Sequence, residues 1–187
     1  AIAYQHLEKW EESSTAFERA VALHGWSRSW VTQLGAIRVA GEDWVGAAAL
    51  YRLAIDSVDD PRYLFWLGSS LEKLEDWAGA VAAYEMAVEA DDSNANWFLR
   101  LGYAYEHSGP NSIRNLPHIG LVEGTGHNLD RAAAAYERAI FLDPDRAACW
   151  SRLANAREMA GDFQGAVAAF SAAVTLAPDK AQHKYRL

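Results

Sequence analysis

Basic residues are in deficit: 17 Lys and Arg stand against 25 Asp and Glu, a formal net charge of −8. Affinity for a phosphate backbone comes from Lys and Arg displacing condensed counterions, so sequence-independent nucleic-acid binding is not expected. Adhesion to an anionic membrane is disfavoured on the same ground. Cysteine is nearly absent, and the lone Cys149 rules out an internal disulfide framework and fits a reducing, cytoplasmic setting. No uninterrupted apolar run reaches the roughly 20 residues of a membrane-spanning helix, and no basic leader precedes an apolar stretch. A soluble chain without membrane insertion is expected.

Catalytic signatures are missing as well. No Gly-x-Ser-x-Gly elbow or cysteine–histidine motif marks a nucleophile. Gly120, Gly124 and Gly126 precede a helical pattern and could form an anion nest, but no Lys-Ser or Lys-Thr follows, so they are not a nucleotide loop. His107, His118 and His127 lack the tight spacing of a metal set and read as solvent-facing. No catalytic residue, metal or cofactor is expected, and the chain reads as a non-enzyme.

What the sequence does have is apolar content, 51%, and a generous 8 Trp, enough for a sizeable core. It also repeats itself. An aromatic followed three residues later by alanine occurs at Phe17/Ala20, Tyr51/Ala54, Tyr84/Ala87, Tyr136/Ala139 and Phe170/Ala173, at intervals of 34, 33, 52 and 34 residues. Four residues before each aromatic stands a small side chain: Ser13, Ala47, Ala80, Ala132 or Ala166. Three residues earlier comes a large apolar one, Trp10, Trp44, Trp77, Leu129 or Phe163, expected to plug the start of a second helix.

Upstream, a Leu-small pair marks a first helix at Leu34-Gly35, Leu67-Gly68, Leu101-Gly102 and Leu153-Ala154, and Leu187 opens another. Glycine inside a helix costs about 1 kcal/mol against alanine, so its recurrence implies close helix packing. Pro144 and Pro178 end two of the units.

In these positions the chain resembles the tetratricopeptide repeat family, most completely over Cys149 to Pro178. The resemblance implies an all-α fold, an α-solenoid of antiparallel helix pairs wound as a right-handed superhelix. A single solenoid over 1–187 is expected, with a partial repeat over 1–27, repeats over 28–60 and 61–94, an interrupted one over 95–146, another over 147–180 and the start of a further one over 181–187. Because the chain opens and closes inside helical patterns, it reads as an excerpt of a longer protein. Asp92 replaces a usual proline, Glu75 replaces the inter-helix glycine, and Gly41 comes one residue early. Acidic pairs such as Asp59-Asp60 and Asp91-Asp92 fall at repeat junctions, where helix ends and solvation account for them.

The interruption, 110–127, is rich in Pro, Gly and Asn, yet Ile113, Leu116, Ile119, Leu121 and Val122 are too apolar for a purely solvated linker. An ordered loop against the solenoid edge is expected, either functional, with Arg114, His118, Gly124, Gly126 and His127 as its chemistry, or a cover for an exposed helix edge.

The family resemblance further implies that first helices line a concave groove and that the residue before each Leu-small pair points into it. That slot holds Gln33, Trp66, Arg100, Arg152 and Arg186. Arginine in register suits carboxylates or phosphates, since guanidinium offers a planar fork of donors. The alternative is that these arginines pair with Glu72, Glu106 and Glu158 on adjacent helices, as weak surface ion pairs do. Phe65, Tyr103 and Asn155 are expected beside them, with Thr32, Ser69 and Ser151. Trp10, Trp44, Trp77 and Trp150 fall at core positions of the repeat, and Trp26, Trp30, Trp66 and Trp97 do not. Chaperone-binding members clamp a carboxylate with Lys and Asn; here Phe65 with Ser69, or Leu99 with Tyr103, stand in those places, so that specialisation is not expected.

Two functions stay open at this point. One is a protein-interaction scaffold binding a peptide or partner surface in the groove. The other is an accessory region of a larger transferase, because WFLRLGYAYEHSG and HKYRL are similar to repeats accompanying bacterial glycosyl- or glycerophosphate-transferases and polysaccharide polymerases; there the groove would guide an anionic polymer or mediate oligomerisation. Exposed solenoid ends could also stack into a homo-oligomer.

Overall fold

The computed structural model describes residues 10–25, 27–57, 59–108 and 128–178. Among them run nine helices and no strand: α1 (Trp10–His24), α2 (Arg28–Ala40), α3 (Trp44–Ser57), α4 (Arg62–Lys73), α5 (Trp77–Ala90), α6 (Ala95–His107), α7 (Asn128–Leu142), α8 (Ala147–Met159) and α9 (Phe163–Leu176). The expected insertion 110–127, the further repeat 181–187, Trp26, and the side chains of Trp10 and Ser13 lie outside the described residues. By their contacts the residues divide into two compact units, Ala1–Ala83 and Tyr84–Leu187, with α5 crossing the division.

Local sequence sets where the helices begin. Asp43, Asp76 and Asp162 each accept a hydrogen bond from the backbone N–H of the glycine three residues on, Gly46, Gly79 and Gly165, at 2.8, 2.9 and 2.9 Å. These carboxylates satisfy donors that a first turn leaves unpaired and carry a charge suited to a helix N-terminus. Ser27 caps α2 through Trp30 N, and Asn94 caps α6 through Asn96 N.

The turns between paired helices close by one backbone device. Asp43, Asp76 and Asp162 N–H groups reach back to the carbonyls of Arg38, Leu71 and Arg157. The residue before each Asp is left-handed: Glu42 at φ 56, Glu75 at φ 59 and Gly161 at φ 85. Gly41, at φ −85, stands one residue ahead of the left-handed position, which Glu42 takes.

In the first unit α1 packs on α2, α2 on α3 and α3 on α4. Val31, Leu34 and Ile37 of α2 meet Ala47, Tyr51 and Ala54 of α3 in a core that solvent does not reach. In the second unit α6, α7, α8 and α9 pack in succession, and the first helices α6 and α8 also touch. Its core holds Phe98, Leu101, Tyr105, Tyr136, Cys149 and Leu153.

Close approach explains the Leu-Gly pairs. A Cβ on Gly35 would lie 2.3 Å from the Tyr51 hydroxyl, and one on Gly102 would lie 2.5 Å from Cε1 of Tyr136. In the last described pair the slot holds Ala154, and the aromatic at the matching position is Phe170, which carries no hydroxyl.

Neighbouring repeats are tied by a clasp the sequence reading did not single out. Arg38 of α2 donates to Glu18 of α1 and to the Gly46 carbonyl. Arg157 of α8 repeats the pattern, reaching Glu137 of α7 at 2.6 Å and the Gly165 carbonyl at 3.3 Å. At the equivalent place Tyr105 donates to buried Glu85 at 2.7 Å. Asp92, standing where proline is usual, pairs with Arg138 at 3.1 Å.

Two core expectations need correction. Trp97, placed outside the repeat core, is only 5% exposed. Phe163, expected to plug the start of a second helix, is 67% exposed. The equivalent Trp44 is covered by Lys73 from the following first helix, its ammonium 5.8 Å from the ring. Among the described residues no helix follows α9 to do the same.

Candidate functional site

Within the first unit, α2, α3 and α4 enclose a pocket of about 410 Å³. Ala36 and Val39 come from α2, Trp44 and Tyr51 from α3, and Trp66 and Lys73 from α4. Helical spacing accounts for the placement: Ala36 and Val39 are three apart, as are Trp66 and Ser69, so each pair shares a face. The aromatic floor is continuous. Trp66 lies 5.6 Å from the Tyr51 ring and 5.5 Å from the Tyr63 ring, and Tyr51 and Tyr63 stack at 6.3 Å. Burial, more than the neighbouring Tyr63, pushes the Tyr51 phenol up to about 12, so it stays a neutral donor across the physiological range.

Three hydroxyls complete the wall, from Thr32, Ser69 and Ser70. Thr32 and Ser70 donate to carbonyls of their own helices, those of Arg28 and Trp66, both at 2.9 Å. Outside the pocket, the guanidinium of Arg62 sits 5.8 Å from the Trp66 ring and is held by Asp60, which also binds Arg28 at 3.1 Å. The Arg62 hydrogen bond holds the Asp60 carboxyl below its ordinary range.

In the second unit a polar cluster joins α6 to α8. Arg152 pairs with Glu106 at 3.2 Å and lies 4.6 Å from the Tyr103 ring, which itself packs 4.2 Å from the His107 ring. The Glu106 side chain is only 8% exposed, and burial raises its carboxyl above the usual range although Tyr136 and Arg152 oppose the shift. Its Oε1 and the Tyr136 hydroxyl are buried without a hydrogen bond of good geometry. Burial likewise raises the Tyr136 phenol.

The expected groove residues thus fall into two local sets. Trp66 lines the pocket, while Phe65 and Gln33 are half-buried on the same pair of first helices, Gln33 donating to Ser29 at 3.0 Å. Arg152 and Tyr103 meet; Asn155 is half-buried one turn along α8, and Arg100 is exposed on α6. Glu106 occupies one arm of the Arg152 fork, which is the pairing weighed against an anion ladder. Arg186 and the loop residues Arg114, His118, Gly124, Gly126 and His127 lie outside the described residues. Ala36, Val39, Ser70 and Lys73 were not anticipated as site residues, and Trp44 was read as core. No group of three metal-ligating side chains occurs among the described residues, nor is any described helix long and apolar enough to cross a membrane.

Paired antiparallel helices locked by small residue against aromatic define an all-α solenoid of helix pairs. The tetratricopeptide repeat family model matches residues 32–95, 67–109 and 119–181, more than half of the sequence, and the chain belongs to that family. Among solved structures, MamA superposes with a TM-score of 0.76 at 17% identity, over 96% of this chain and 95% of that one. YrrB, a TPR protein with an unusual peptide-binding site, does so with a TM-score of 0.75 at 18% identity, over 99% and 88%. Such identities carry the fold alone. Mouse protein O-mannosyl-transferase TMTC1 is 39% identical over 51 residues, which are 27% of this chain and 5% of that protein.

Proposed function

We propose that this chain is a non-catalytic scaffold that binds a peptide or a partner's surface along its first helices. The observation that supports the reading best is the pocket walled by α2, α3 and α4, which is lined by both Trp44 and Trp66, each half-buried. Large rings left open in a concave apolar wall are the usual mark of a binding surface. The Tyr103–Arg152 pair on α6 and α8 offers a second, more polar contact in the same helix class.

A photo-crosslinking residue placed at Gln33, Ser69, Arg100 or Asn155 is expected to capture a partner protein in cells of the source organism. The same residue at Arg52, Met86 or Ser171, exposed on second helices, is expected to capture none. Capture from the second helices alone, or from no position, removes the reading.

A second reading makes the repeats an accessory region of a larger glycosyl- or glycerophosphate-transferase or polysaccharide polymerase. The short stretch shared with a mannosyl-transferase favours it. A transferase domain in the parent gene is the result that supports this reading.

A further inference from the structure

The chemistry of the first-unit pocket narrows what it holds. Its volume of about 410 Å³ falls within the range of ligand pockets, roughly 300–1,000 Å³, and suits one aromatic side chain with its adjoining backbone. Its wall offers ring surface: Trp44 and Trp66 are half-buried, and Tyr51, 5.6 Å from the Trp66 ring, lines the same pocket. A planar apolar group laid there gains offset or edge-to-face contacts on two sides.

Charge then chooses between ligands that aromatic walls attract. Rings alone would also welcome a methylated ammonium. Lys73, the one charged residue in the wall among the described residues, already sets its ammonium 5.8 Å from the Trp44 ring. A second cation beside it is repelled, and a carboxylate is drawn in. In a chain of net charge −8, a pocket bearing only positive charge is a local exception that selects for acid. Thr32, exposed at the wall, donates its hydroxyl proton to the Arg28 carbonyl, so toward a ligand its oxygen is an acceptor suited to a backbone N–H group.

We propose that the pocket bounded by Ala36, Trp44, Tyr51, Trp66 and Lys73 takes an aromatic side chain from a peptide whose neighbouring residues are acidic. The inference rests on the reading that the chain binds peptides along its first helices, and it names the motif. It makes Trp44 and Trp66 the sandwich, Lys73 the acid receptor, and Ala36 the residue whose smallness keeps the mouth open.

The test uses the whole chain labelled with fluorotryptophan and three short synthetic peptides: a central Phe flanked by Glu, the same with Ala for Phe, and the same with Lys for Glu. Trp44→Phe and Trp66→Phe assign the two fluorine resonances. The Phe/Glu peptide is expected to shift both resonances, and the Ala peptide to bind about tenfold more weakly or worse. Lys73→Met is expected to weaken the Phe/Glu peptide by up to about fivefold, as a partly exposed ion pair allows. Ala36→Phe is expected to abolish the shifts while the circular dichroism spectrum and melting temperature hold; Ser69→Phe, on another helix of the wall, serves if the first variant melts early.

Equal binding of the Phe and Ala peptides, preference for the Lys-flanked peptide, or no shift of either resonance at about 1 mM peptide overturns the inference. Partner capture at Arg100 or Asn155 that persists in Ala36→Phe, with no peptide shift, leaves the scaffold reading standing while this one falls. Peptide binding with no partner captured at any first-helix position does the reverse.

Discussion

At the scale of single residues, the turns between paired helices divide into a relaxed one and two strained ones. Gly161 adopts φ 85 without a side chain to clash, whereas Glu42 and Glu75 hold the same left-handed conformation with one. That conformation costs a non-glycine residue about 1–2 kcal/mol. Glu42→Gly and Glu75→Gly are therefore expected to raise stability by about 1 kcal/mol each, and Gly161→Ala to lower it comparably. Urea denaturation midpoints check this; a drop for Glu75→Gly would mean its side chain holds a contact worth more than the strain. Two carboxylates respond to pH in opposite senses. Asp60 has a lowered folded value, so its stabilisation is present above the ordinary aspartate range and is lost as pH falls through the lowered value. Glu106 has a raised one, so the native state binds its proton first and stability rises as pH falls through that window. Asp60→Asn is expected to cost stability at neutral pH with the deficit closing in acid. Glu106→Gln is expected to lose the acid-side gain. Thermal melts across pH separate the two profiles.

At the scale of helices, a glycine on the first helix sets how near two axes come in the α2–α3 and α6–α7 pairs. Gly35→Ala and Gly102→Ala are both expected to overpack, by about 1–3 kcal/mol. The rescues differ. At Gly35 the nearest obstacle is the Tyr51 hydroxyl, so Tyr51→Phe restores part of the loss; at Gly102 ring carbons of Tyr136 stand in the way, and Tyr136→Phe restores none. A double-mutant cycle reads the coupling directly. The helix register was legible in the sequence because the aromatic, small and Leu-Gly positions recur at fixed offsets, and those side chains are the ones that touch across a pair. Trp97 and Phe163 escaped that logic because burial also depends on which helix arrives next, information held outside any one repeat. The pocket escaped it more completely: Ala36, Trp44 and Lys73 sit at unrelated offsets on three helices, and only packing brings them together. The Asp caps at 43, 76 and 162 recur as regularly as the aromatics and could have been read from the Asp-x-x-Gly spacing alone.

At the scale of the chain, each unit is built by neighbour-to-neighbour contacts, so stability propagates from repeat to repeat. The Arg38–Glu18 and Arg157–Glu137 clasps couple successive repeats, but each has one partner about half exposed, so a coupling of about 0.2–1 kcal/mol is expected from each pair. Cys149 sits elsewhere, at 0% exposure in the second-unit core, its thiol held protonated by burial. A closed fold hides that sulfur from any alkylating reagent, so its rate of modification counts how often α8 comes away from its neighbours. The chain thus carries, in its single cysteine, a chemical clock for the opening of the second unit that needs no added label.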